Sequence, residues 1–147
     1  MKIDNTPQLD FHDVLIRPKR TILTSRSQVN IERTLKFPHS KQTWTGVPII
    51  AANMDTTGTF EVYDVLSKHK MITCLNKFYN IKDFQKRWET HGPMDPNYFM
   101  ISTGIDERNF TWLCDIVHFT KCKWLCVDIA NGYMNQLVNF CDKCRAT

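Results

Sequence analysis

The chain has 147 residues, 42% of them hydrophobic, and a formal net charge of +4. That is enough for one domain with a core, and the lysines and arginines are spread along the chain, which argues against the dense basic face of a nucleic-acid binder. No apolar run approaches the ~18 residues of a membrane span, and the start MKIDNTPQLD lacks the apolar segment of a secretory signal, so a cytoplasmic protein is expected. Six cysteines are present. Cys74 and Cys126 fall inside apolar strand-like runs and Cys114 on an apolar helix face, the placement of reduced thiols rather than of a disulfide scaffold.

Residues 1–45 are polar, with short apolar patches such as Val14-Leu15-Ile16. They predict an extended arm, with a short hairpin or edge strand around 28–38. From 46 to 147 the pattern becomes regular. Strands are expected near 47–53, 71–76, 98–103 and 123–128. Between them, Phe60, Tyr63 and Leu66 recur at helical spacing in 59–69. Asn80 caps a helix over 81–91, on which Ile81, Phe84 and Trp88 share a face, and GPMDP at 92–96 ends it. Asp106 caps a third helix carrying Phe110, Leu113, Cys114 and Val117. A last helix presents Leu137, Val138, Cys141 and Cys144 as one stripe. The order β-α-β-α-β-α-β-α implies an α/β fold with a parallel sheet. The strands are apolar throughout, as strands covered on both faces are. An open doubly wound sheet and part of a (β/α)8 barrel both satisfy this pattern, and both place ligands at the C-terminal ends of the strands.

Each expected strand ends in polar residues. The first ends in Asn53, Met54, Asp55 and Thr56, the second in Asn76 and Lys77, the third in Ser102, Thr103 and Gly104, the fourth in Asp128 with Asn131-Gly132 behind it. In a parallel sheet these tips lie at one end. A lysine and an aspartate from separate tips can then share a site and move a proton. Taken singly, each tip is equally a helix cap or a water-binding group. Other candidates are weaker. Cys122-x3-Cys126 and Cys141-x2-Cys144 suggest zinc by spacing, but Cys126 is mid-strand and Cys141 and Cys144 sit on an apolar stripe. No glycine-rich dinucleotide fingerprint or P-loop is present.

Four stretches carry a resemblance: DFHDVLIRPKRTILTSRSQV at 10–29, GVPIIAANMDTTGTFE at 46–61, STG at 102–104 and DIANGY at 128–133. They resemble the N-terminal half of the GMP reductases, within the IMP dehydrogenase/GMP reductase family, collinearly from about residue 9 onward. The resemblance implies the first four βα units of a (β/α)8 barrel, preceded by an extended N-terminal arm. It implies an NADPH-dependent oxidoreductase of purine metabolism that converts GMP to IMP and ammonia and works as a tetramer. By the same resemblance Lys77 and Asp128 are catalytic and touch the cofactor. Ser25 and Arg26 contact NADPH from a neighbouring subunit. Ile129 and Ala130, continued by Asn131 and Gly132, form a cofactor loop, and Asn53 and Met54 lie beneath the nucleotide.

Two departures bear on these expectations. The family shows histidines on either side of the second-strand lysine, where this sequence has Asn76-Lys77-Phe78. The family's nucleophilic cysteine lies on a later loop, in a G-P-G-S-x-C-T-T pattern, which is not among these 147 residues. Its potassium site is likewise on later residues. The resemblance therefore implies either half of a reductase that needs a complementary C-terminal half, or a truncated, inactive relative acting as a binding module.

Overall fold

A computed structural model describes residues 3–147. They fall into two compact units, one ending at Asn30 and one spanning Ile31–Thr147. In the first unit every described residue is exposed. Its regular structure is two 3-10 turns, Phe11–Asp13 and Arg26–Gln28, each closed by a capping box, Asp10 with Asp13 and Ser25 with Gln28.

The second unit begins with an antiparallel hairpin, β1 (Arg33–Lys36) and β2 (Thr43–Gly46). β1 falls within the expected 28–38, and its partner β2 lies further along the chain, where its pairing is anchored from elsewhere in the fold. Trp44 is buried and donates its indole N–H to the Asn97 carbonyl at 2.9 Å. Phe37 packs edge-on against Trp124. Both partners precede a strand of the main sheet, so the hairpin covers the N-terminal end of that sheet and leaves the other end to the polar tips.

The main sheet holds β3 (Ile50–Ala51), β4 (Ile72–Leu75), β5 (Phe99–Thr103) and β6 (Leu125–Val127), all parallel and in sequence order. Helices α1 (Phe60–Leu66), α2 (Ile81–His91), α3 (Phe110–Thr120) and α4 (Asn135–Ala146) follow the four strands in turn. The helix starts obey the sequence signals. Asn80 accepts the Lys82 N–H while Asp83 accepts the Asn80 N–H, a full capping box for α2. Thr59 caps α1. Asp106 caps the 3-10 turn Glu107–Asn109, which runs on into α3. Gly92, at φ +76°, ends α2 in a conformation that suits glycine.

Tyr63, Phe84, Leu113 with Ile116, and Phe140 come from the four helices in order, and all join one core with Leu75, Phe99 and Ile101. One shared core means that the helices cover one face of the sheet. The stripe expected on α4 needs correction. Val138 is exposed, and Phe140 is the helix's buried anchor, edge-on to Phe110. The i, i+1 and i+4 residues Leu137, Val138 and Cys141 span a wider arc than the contact uses, and the bulkier ring takes the centre.

Candidate functional site

The four strand tips meet at the C-terminal end of the sheet, with the outer two in direct contact. Asn53 follows β3 and Asp128 follows β6, on opposite sides of the sheet. Asn53 nevertheless donates its side-chain N–H to Asp128 Oδ2 at 3.0 Å. Flat strands would put β3 and β6 about 14 Å apart, three spacings of about 4.8 Å. A single side-chain hydrogen bond across that span requires the sheet to curl at this end. The Asp128 backbone N–H is itself held by the Thr103 carbonyl at 2.8 Å.

The middle two tips form a second feature. Lys77, Tyr79, Asn80, Thr103, Asn109 and Trp112 line a cavity of about 270 Å3 between the β4–α2 and β5–α3 connections. The Lys77 ammonium lies 6.0 Å from the Phe78 ring centroid. Among the described residues it forms no ion pair, so the structure does not join Lys77 to Asp128 as an ion pair. What it shows is a carboxylate held by an amide on one side, and an exposed ammonium over a cavity lined by aromatic rings, amides and hydroxyls on the other.

The remaining expected residues lie as follows. Met54 is exposed beside Asn53. Ile129 is half-buried, while Ala130, Asn131 and Gly132 are exposed in the loop before α4, where Asn131 Oδ1 accepts the Tyr133 N–H at 3.0 Å. Ser25 and Arg26 belong to the first unit, in its second capped turn.

Asn76, one of the expected tip residues, and Gly58, which carries no such signal, hold the tips together. Asn76 is buried. Its side-chain N–H donates to the Gly58 carbonyl at 3.0 Å and its backbone N–H to the same oxygen at 2.9 Å. Gly58 permits that approach, since a Cβ there would stand 2.3 Å from the Cys74 carbonyl oxygen. Asn76 stands out in the sequence as the amide just before a strand-end lysine. The close approach at Gly58 leaves no such trace.

The two buried thiols, Cys74 and Cys122, are poorly suited to attack. Burial pushes the Cys74 thiol up to about 12, although its hydrogen-bond partner Ser102, 3.3 Å away, acts in the opposite direction. Burial also pushes Cys122 up to about 12. At neutral pH such groups stay protonated, and the thiolate is the nucleophile. All six cysteines are free.

Over 145 residues the chain is 41% identical to "GMP reductase" of Caenorhabditis elegans, covering 98% of this chain and 40% of that protein. Over 147 residues it is 44% identical to "GMP reductase" of Photobacterium profundum, covering 99% of this chain and 42% of that protein. The chain is similar, over nearly its whole length, to part of these GMP reductases. Human "GMP reductase 1" is 42% identical over 146 residues, with 99% of this chain and 42% of that protein covered. The chain thus spans about two fifths of the length of the curated relatives it matches. No family model matches it. Its fold is similar to that of inosine 5'-monophosphate dehydrogenase from Legionella pneumophila, with a TM-score of 0.66 at 23% identity over 92% of this chain and 40% of that one.

Proposed function

We propose that these residues form the first four βα units of a (β/α)8 barrel and supply the cofactor-side wall of a GMP reductase. The observation that carries the reading is the Asn53–Asp128 hydrogen bond. It draws the outer tips together, as barrel curvature does, and it involves two of the residues to which the family resemblance gives a role. The single core shared by all four helices supports a barrel segment over a doubly wound sheet, which places helices on both faces.

The donor set fits a nicotinamide dinucleotide. Lys77 offers a cation to its phosphates, Asp128 and Asn53 offer an acceptor and amide to its polar groups, and the Ile129–Gly132 loop offers backbone. NADPH, when bound, supplies the hydride for reductive deamination of GMP to IMP and ammonia. On this chain the work is orientation and proton handling. Asn53 occupies one carboxylate oxygen of Asp128 and leaves the other to accept from a ligand. Lys77 is charged, exposed and free to approach the reacting group. The nucleophilic cysteine, the potassium site and the barrel's other strands come from residues outside these 147. Ser25 and Arg26 act on a neighbouring copy's cofactor in a tetramer. No described helix is long and apolar enough to cross a membrane, and we place the reaction in the cytoplasm.

The test combines the 147-residue polypeptide with the remaining part of the Photobacterium profundum relative and follows NADPH absorbance. GMP-dependent oxidation is expected in the mixture and not with the 147 residues alone. Lys77→Met and Asp128→Ala should each slow it by about 100-fold or more, the scale of one lost proton-transfer group. Unchanged turnover in either variant refutes that residue's role. A second reading, a binding module without turnover, is supported by the two buried thiols, Cys74 and Cys122, which burial keeps protonated. It predicts NADPH binding with no oxidation in the mixture.

A further inference from the structure

We propose that Asn76 is the positioning residue for Lys77, doing with one amide what ties the β3–α1 and β4–α2 connections together. Its side-chain N–H and backbone N–H both donate to the Gly58 carbonyl, at 3.0 and 2.9 Å. Its side-chain oxygen accepts the Phe78 N–H at 3.1 Å. The bond from Phe78 closes a turn with Lys77 at its centre, so the amide fixes the backbone on both sides of the lysine. The bond to Gly58 ties that turn to the connection that begins with Asn53. Asn76 is 9% exposed while Lys77 and Phe78 are exposed. The amide is therefore a buried anchor under an exposed pair. Losing the side chain would leave the Gly58 carbonyl with the Asn76 backbone N–H alone and would free the Phe78 N–H from its acceptor. Lys77 is thereby held at the rim of the cavity lined by Thr103, Asn109 and Trp112.

The roles asked of position 76 are one donor, to Gly58, and one acceptor, for Phe78. A neutral imidazole also has one ring donor and one ring acceptor, whereas an imidazolium has two donors and no acceptor. Beside position 76 lie the neighbouring Lys77 ammonium and the Tyr79 hydroxyl, which interacts with the Asn76 side chain and feels the Glu61 and Asp83 carboxylates.

The clamp stands on geometry alone, and its consequence for nucleotide binding rests on the function proposed above. The 147-residue chain is therefore studied by two measurements, hydrogen exchange at the Phe78 amide and affinity for NADPH. In Asn76→Ala the Phe78 amide should exchange about tenfold faster relative to the Cys74 and Ile101 amides of the same sample, and NADPH should bind about tenfold more weakly. Asn76→His should restore both near pH 7.5 and lose both near pH 5.5, as its imidazole takes up a proton. Unchanged Phe78 exchange in Asn76→Ala overturns the clamp, as does an Asn76→His variant whose Phe78 exchange, relative to the Cys74 and Ile101 amides, is the same at both pH values. Faster exchange with unaltered NADPH affinity overturns the positioning of Lys77. If the wild-type chain binds no NADPH, the cofactor reading fails while the exchange measurement still decides the clamp.

Discussion

All four residues of β4 are buried, and four of the five in β5, whereas neither β3 nor β6 contains a buried residue. The outer strands, Ile-Ala and Leu-Cys-Val, are if anything more apolar than the middle ones, which carry Thr73, Ser102 and Thr103, so composition did not produce this difference. Neighbours did. A middle strand is flanked by two others and roofed by helices, while an outer strand has one open edge. The polar tips divide the same way. Lys77 and Thr103 rise from the buried strands and border a cavity, and Asn53 and Asp128 rise from the outer strands and reach each other. An apolar run thus predicts that a strand forms, and its place in the order decides how firmly its tip is held.

This contrast is broken most directly at Phe99. Its ring is fully buried and stands edge-on to Tyr63. Phe99→Ala should cost about 3–5 kcal/mol, the range for truncating a buried aromatic, read as a lowered midpoint in urea. A loss below about 1 kcal/mol would mean that the middle of the sheet is no better packed than its margins. The next largest effect is expected at Gly58, where the tips are joined. An added Cβ would meet the Cys74 carbonyl at 2.3 Å and the Asn76 nitrogen at 2.8 Å. Both obstacles are backbone and cannot rotate aside. Gly58→Ala should cost about 1–3 kcal/mol and should speed exchange at the Asn76 amide, which donates to the Gly58 carbonyl.

The buried thiols give a smaller effect that depends on pH. Cys74 lies on β4, and Cys122 sits before β6 with its thiol near the Phe99 and Trp124 carbonyls. Burial raises both thiols to about 12, while an unfolded thiol ionises near ~8.5. Below that, both states keep the proton and the thiols contribute nothing to the slope. Above it, the unfolded chain releases protons that the folded chain retains, so stability falls with rising pH. Each thiol contributes at most about 1.4 kcal/mol per pH unit. Between about pH 9 and 10.5, Cys122→Ala should therefore flatten the decline measured by urea unfolding. An unchanged slope would mean that Cys122 is solvated.

Much of this was legible in the sequence because the signals were local. Asn80, Thr59 and Gly92 mark helix ends by the chemistry of their own side chains or backbone, and the helix over 81–91 forms with those limits. The order of strands and helices followed from periodicity. The residues that resisted reading act at long range. The Asn53–Asp128 bond joins positions 75 apart in sequence. Arg87, a charged residue three positions after Phe84 on α2, is buried. It pairs with Asp64, donates to the Gly92 carbonyl at 2.7 Å and lies 5.5 Å from the Tyr63 ring centroid. Whether Lys77 meets Asp128 was likewise open, because spacing along the chain does not fix the curl of a sheet.

The smallest effect is expected at Ile50 on β3, and it tests the other half of the contrast. Ile50 is 52% exposed and its strand pairs on one side only, with β4. Ile50→Thr keeps the β-branch, and hence the strand preference, while removing apolar area that is half in water already. The loss should stay below about 1 kcal/mol. The variant also measures what covers the outer strands in solution. If Ile50→Thr costs as much as Phe99→Ala, its side chain is buried there by something beyond the described contacts. A second copy of the chain would make that cost rise with protein concentration, because association stabilises by mass action. A cost that is large and independent of concentration would instead mean that β3 folds inward and the sheet closes further than the Asn53–Asp128 bond alone requires.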